Sequence, residues 1–132
     1  MGFGPGDLPA IVLCSTATRT VETASLVSGG PGGPPVLARS SLYGADPEEI
    51  LGEIRLLDDG VRAAMVVGHN PGVHQLVMEL LGGEASAEHG LDRQGFPTCA
   101  VAVVALAADG WDRVGADEGR LIGFFRPPYA AT

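Results

Sequence analysis

The sequence predicts an α/β domain of three layers, with a mixed sheet held between helices. Three observations carry that expectation. Apolar runs at residues 10–14 and 63–67 have the length and density of short, buried parallel strands. Each is followed by apolar residues at helical spacing. Late in the chain, an apolar, valine-rich run at 99–107 leads into Asp109-Gly110 and further runs at 111–114 and 121–125, the pattern of a hairpin.

In chain order, residues 1–9 are rich in glycine and proline and read as irregular. Residues 10–14 form the first strand, and Ser15 or Thr16 can cap a helix that runs to about Val27. Its inner face would be Ala17, Val21, Ala24 and Val27. The Gly/Pro stretch at 28–35 cannot continue the helix and reads as a surface connection. Residues 36–42 form a weak extended segment. Asp46-Pro47-Glu48-Glu49 opens a second helix with a capping-box pattern, and Ile50, Leu51, Ile54 and Leu57 supply its apolar stripe. Asp58-Asp59-Gly60 ends it.

The run at 63–67 then stops at Gly68-His69-Asn70-Pro71-Gly72. Asn70 has the character of an N-cap and Pro71 that of a first helical residue. Val73, Leu76, Val77, Leu80 and Leu81 fall on one helical face. Residues 82–95 are polar and punctuated by glycine. The run at 99–107 is expected to be a central strand, with 111–114 and 121–125 adding strands beside it, and Pro127-Pro128 stopping the last.

At 132 residues the chain is expected to be one domain, 1–132, large enough for a real core. Apolar residues are 45% and charged residues 18%, an ordinary globular balance. Sixteen acidic residues against eight basic ones give a net charge of −8, which argues against nucleic acid and membrane surfaces as partners. No apolar run approaches the roughly 20 residues of a membrane helix, and no secretory leader is recognisable, so a cytoplasmic protein is expected. Cys14 and Cys99 lack metal-ligand spacing, and the three histidines offer none either. No metal and no organic cofactor is expected.

Two positions carry chemical information. His69 lies on a strand-to-helix turn, in the crevice where α/β sheets hold ligands and where a helix N-terminus favours anions. Arg19 falls in the first turn of the first helix, where a cation opposes the helix dipole by about 0.3–1 kcal/mol. A bound phosphate would remove that conflict. The alternative is an arginine paired with Glu22 or turned into water. His74 and His89 read as solvated.

Taken together, two segments resemble the histidine phosphatase superfamily. Ile11-Val12-Leu13-Cys14-Ser15-Thr16-Ala17-Thr18-Arg19-Thr20-Val21-Glu22-Thr23-Ala24 is similar to its strand, Ser/Thr-Ser pair and Arg-x-x-x-Thr-Ala stretch. Leu42-Tyr43-Gly44-Ala45-Asp46-Pro47, followed by Val66-Val67-Gly68-His69-Asn70-Pro71-Gly72, looks like the short phosphohistidine phosphatases of SixA type. Phe96-Pro97-Thr98, Trp111 and Phe125-Arg126-Pro127 fit the end of that family. The resemblance implies a phosphoglycerate-mutase-like α/β/α fold. It implies that Arg19 and His69 are catalytic residues, Arg19 neutralising a phosphoryl group and His69 hydrogen-bonding one of its oxygens. The backbone N–H of Asn70 would complete the pocket. The implied substrate is a phosphorylated small molecule or a phosphohistidine protein.

One departure matters. In that family the nucleophile is a histidine in an Arg-His-Gly or Arg-His-Ala motif on the opening strand. This chain contains no Arg-His dipeptide, and its first histidine is His69. The expected fold is therefore truncated at its first strand, and the chain as it stands is predicted to be inactive. The missing unit would lie upstream of Met1, or be lost with the late strands closing up, or be replaced by another chain, as in a homodimer covering the exposed sheet edge. Without a nucleophile, the chain would serve at most as a phosphate- or phosphoprotein-binding module, or as a structural interaction domain.

Overall fold

The computed structural model describes residues 9–28, 32–83 and 101–125. Three parallel strands form the main sheet in the order β2-β1-β3. They are β1 (Ile11–Ser15), β2 (Val36–Arg39) and β3 (Ala64–Val67). In register, Cys14 lies opposite Ala38 of β2 and Val67 of β3, so the three strands finish at one carboxyl edge. Three helices follow the strands: α1 (Thr18–Ser28), α2 (Pro47–Ile54) and α3 (Gly72–Leu81).

The central strand is covered on both faces because its side chains alternate. Val12 and Cys14 point to one side, where they pack with Ala24 and Val21 of α1 and with Met65 and Val67 of β3. Leu13 points to the other side, into the main core of Leu42, Ile50, Leu51, Ile54, Leu76, Leu80 and Val114. Near-continuous apolarity in residues 11–14 is the mark of a strand buried in this way. The three layers follow from that burial.

α2 starts as its sequence indicates. The Asp46 carboxylate accepts the Glu49 backbone N–H at 2.9 Å, and the Glu49 carboxylate accepts the Asp46 N–H at 3.1 Å. Ile50, Leu51 and Ile54 are its buried stripe. In α3 the stripe is Leu76, Val77, Leu80 and Leu81, with Val73 packed at its border. Gly72 opens α3 against the carbonyl of Ala45, where a Cβ atom would collide with that oxygen. The turn below His69 is thus pressed onto the loop that leads into α2.

Several expectations need correction. α3 begins at Gly72 with Pro71 at the cap position, so Asn70 is not the N-cap and Pro71 is not the first helical residue. α1 begins at Thr18, and the buried Ser15 side chain turns inward rather than capping it. The extended segment at 36–42 is a strand only to Arg39, then a 3₁₀ turn at Ser40–Leu42.

The late chain departs further. Among the described residues, β4 (Val101–Leu106) pairs only with β5 (Gly119–Phe125), antiparallel, in a separate two-stranded sheet rather than as the centre of one mixed sheet. Its register shifts between Val103 and Val104. Ala102, Val104, Leu121 and Phe124 instead pack on Val77 and Leu81 of α3. Residues 111–114 are not a strand. Trp111–Arg113 is a 3₁₀ turn, which puts Trp111 and Val114 on one side. Val114 enters the core, Trp111 packs against it, and the indole Nε1 donates to the Val61 carbonyl at 2.8 Å. Arg55 Nε donates to the Val114 carbonyl at 2.9 Å and fixes the same turn to α2. A strand at 111–114 would alternate sides and lose one of these anchors.

Among the described residues, no helix is long and apolar enough to cross a membrane. Cys99, His89 and the segments around Phe96-Pro97-Thr98 and Arg126-Pro127 lie outside the described residues.

Candidate functional site

The site residues come from two neighbouring strand-to-helix turns. β1 ends at Ser15, and the chain turns through Thr16 and Ala17 into α1, whose second residue is Arg19. β3 ends at Val67, and the chain passes through Gly68, His69, Asn70 and Pro71 into α3. Since β1 and β3 are adjacent and parallel, both turns emerge at the same edge of the sheet. This is where a doubly wound sheet leaves room for a ligand.

Hydroxyl groups form the floor of that edge. Ser15 is fully buried and its Oγ lies 2.6 Å from Thr20 Oγ1, itself buried. Thr20 Oγ1 also donates towards the carbonyls of Ala17 at 2.8 Å and Ser15 at 3.0 Å. Ser15 Oγ accepts the Ala17 backbone N–H at 3.4 Å and stands 3.5 Å from His69 Nε2. That last contact is long for a hydrogen bond, yet it ties the β1–α1 turn to the β3–α3 turn directly. Tyr43 completes the surround, its ring 6.3 Å from the imidazole centroid in an edge-to-face arrangement at 62°.

The rim is exposed and carries the polar functions. Arg19, His69 and Asn70 all face solvent. α1 has no acidic residue in its first turn, and among the described residues Arg19 pairs with no carboxylate, Glu22 included. Among the described residues, then, a cation without a counter-charge sits at the positive end of a helix, a position that an anion relieves. The β3–α3 turn is tightly folded: the Val73 N–H donates to the His69 carbonyl at 3.2 Å and the Gln75 N–H to the Pro71 carbonyl at 2.9 Å.

Cys14 is the nearest thiol in sequence, but it points into the α1 side of the sheet and is fully buried. Burial pushes its pKa up from the ordinary 9.0, so it is held as a neutral thiol and is a poor nucleophile. A shallow groove of about 610 Å³, bounded by Pro47, Gln75, Met78 and Asp117 among others, shares no residue with this edge.

Sequence reasoning put Arg19 and His69 each on a strand-to-helix turn, and the parallel pairing of β1 with β3 brings the two turns to one edge. It missed Ser15 and Thr20 as site residues. The signal was a hydroxyl just after the strand run and a second one five residues later, but Ser15 equally suits a helix cap and Thr20 an ordinary helix position. Tyr43 entered only as part of a motif.

The fold and these turns define a class: the chain has the α/β architecture of the phosphoglycerate-mutase-like structures of the histidine phosphatase superfamily. It is similar to a SixA structure from Nakamurella multipartitia, designated a candidate phosphohistidine phosphatase. The TM-score is 0.75 with 26% identity, covering 93% of this chain and 74% of that one. A SixA structure of the same designation from Agrobacterium tumefaciens gives a TM-score of 0.73 with 28% identity, over 91% and 69% of the two chains. No protein-family model matches the chain.

Curated relatives are found in mycobacteria. An uncharacterized protein of Mycobacterium tuberculosis is 36% identical over 131 residues, 96% of this chain and 80% of the relative. One of Mycobacterium leprae is 33% identical over 125 residues, 92% and 74% of the two. The chain belongs to the family of these mycobacterial proteins, with SixA-type structures as its structural neighbours.

Proposed function

We propose that this protein binds a phosphoryl group at the carboxyl edge of β1 and β3, between Arg19 and His69, as a member of the histidine phosphatase lineage. Arg19 neutralises the phosphoryl charge, His69 hydrogen-bonds one of its oxygens, and the Asn70 backbone N–H serves as a further donor. The ligand class is a phosphohistidine protein or a small phosphomonoester. The observation that carries this reading is the approach of Ser15 Oγ to His69 Nε2, 3.5 Å, which holds the Arg19 turn and the His69 turn side by side. The SixA designation of two structural neighbours supports the same class of ligand.

Hydrolysis by this mechanism needs a histidine nucleophile beside that pair. The chain has no histidine before His69, and His74, five residues on along α3, does not converge on the same phosphorus. By themselves these 132 residues would bind phosphate without hydrolysing it, and a form that also carries an Arg-His strand would be the phosphatase. The expected result with the chain alone is saturable binding of inorganic phosphate or tungstate, weakened by about 10- to 100-fold in Arg19→Ala, as befits a charge-assisted hydrogen bond. Hydrolysis of p-nitrophenyl phosphate is expected to stay at the buffer rate. Equal anion affinity in wild type and Arg19→Ala would remove Arg19 from the site. Saturable turnover that disappears in His69→Ala would overturn the binding-only reading.

A further inference from the structure

We infer that Ser15, with its own proton committed to Thr20, is a positioning residue that keeps a proton on His69 Nε2. Only the functional consequence of this inference rests on the phosphate site proposed above.

The argument is a count of hydrogens. A threonine hydroxyl has one proton and two lone pairs, and so does a serine hydroxyl. Thr20 Oγ1 lies 2.8 Å from the Ala17 carbonyl and 3.0 Å from the Ser15 carbonyl, and neither oxygen can donate. Its single proton is directed at these carbonyls, since turning it away would leave unbridged oxygen pairs at those distances. The 2.6 Å contact between Thr20 Oγ1 and Ser15 Oγ still needs a proton. Ser15 must supply it.

Ser15 Oγ then has only lone pairs left, and among the described residues two further groups approach them: the Ala17 backbone N–H at 3.4 Å and His69 Nε2 at 3.5 Å. Both positions are complementary only if the imidazole presents N–H at Nε2. A bare Nε2 would set lone pair against lone pair on a fully buried oxygen. Nε2 is therefore a donor, and the lone pair of the neutral ring is on Nδ1.

This matters because Nε2 is the nitrogen beside the β1–α1 turn that presents Arg19. On that side the ring never offers a lone pair to a phosphoryl oxygen, whatever its charge. Thr20 is buried behind Ser15, yet it decides the direction of the Ser15 proton and so the chemistry of the His69 ring.

The test is NMR of the imidazole ring in the full ¹⁵N-labelled chain, using two-bond correlations in alkaline buffer without phosphate. Wild type is expected to show a protonated Nε2 and a bare Nδ1. In Thr20→Val the Ser15 proton is free to turn to Nε2, and the population with the proton on Nδ1 rises severalfold. Thr20→Ser restores the wild-type pattern. A wild-type ring with its proton on Nδ1, or a Thr20→Val ring unchanged from wild type, overturns the inference. Should Thr20→Val fail to fold, Ser15→Ala takes its place: its Nε2 resonance must move from the wild-type position, and an unmoved one overturns the inference. Inorganic phosphate titration of the same samples separates the two proposals. A ring that responds in a chain that binds no phosphate supports the positioning role and removes the phosphate site. Phosphate binding with an unresponsive ring does the reverse.

Discussion

Arg19 makes an unusual prediction: removing a site residue should stabilise the empty protein. The side chain is on the second residue of α1, a helix with no acid in its first turn and no basic residue in its last. A cation there opposes the helix dipole by about 0.3–1 kcal/mol, and the exposure of Arg19 puts physiological salt at the low end of that range. For a chain of 132 residues, an unfolding entropy of about 2.1 cal/mol/K per residue amounts to about 280 cal/mol/K. Arg19→Ala is thus expected to raise Tm by about 1–4 °C in low-salt, phosphate-free buffer. Phosphate at 100 times Kd adds about 2.7 kcal/mol to wild type by mass action. A variant that binds 10- to 100-fold more weakly keeps only about 0.4–1.4 kcal/mol of that at the same concentration. The two melting curves should therefore cross: the variant is the more stable without phosphate, the wild type with it. Thermal melts followed by circular dichroism, at low and high salt and with and without phosphate, measure all four terms. A variant that is less stable without phosphate and gains as much from it as wild type would refute both the dipole argument and the assignment of Arg19.

Two further predictions concern the frame around the site. Trp111→Phe keeps the apolar ring but deletes the Nε1 donor to the Val61 carbonyl, and is expected to cost about 0.5–1.5 kcal/mol in urea unfolding at an unchanged m value. Cys14, whose thiol burial holds in its neutral form, should resist thiol reagents in the folded chain and react on unfolding. Its folded pKa is raised, so the unfolded state loses the proton first. The stabilising contribution is complete at neutral pH and declines as pH climbs past the ordinary thiol value of 9.0. Urea midpoints against pH should fall less steeply above that value in Cys14→Ala than in wild type.

The order of elements was legible because it rests on local signals. Buried strands need continuous apolar runs, as in residues 11–14 and 64–67, and helices covering a sheet need stripes such as Ile50-Leu51-Ile54 and Leu76-Val77-Leu80-Leu81. The Asp46–Glu49 capping box is likewise complete within four residues. From such runs the sequence by itself determined an alternating α/β chain with His69 and Arg19 each on a strand-to-helix turn. Tertiary structure decided what depends on distant neighbours. Trp111 and Val114 form a 3₁₀ turn because Val61, Arg55 and the core fifty or so residues away claim both. β4 and β5 stand apart from the parallel sheet because their apolar faces pack on α3, a choice that periodicity alone cannot express. Above all, Ser15 reads locally as a cap and Thr20 as one residue of a helix. Only the adjacency of β1 and β3 brings Ser15 beside His69, and there a buried hydroxyl must satisfy its hydrogen bonds with whatever the fold sets next to it.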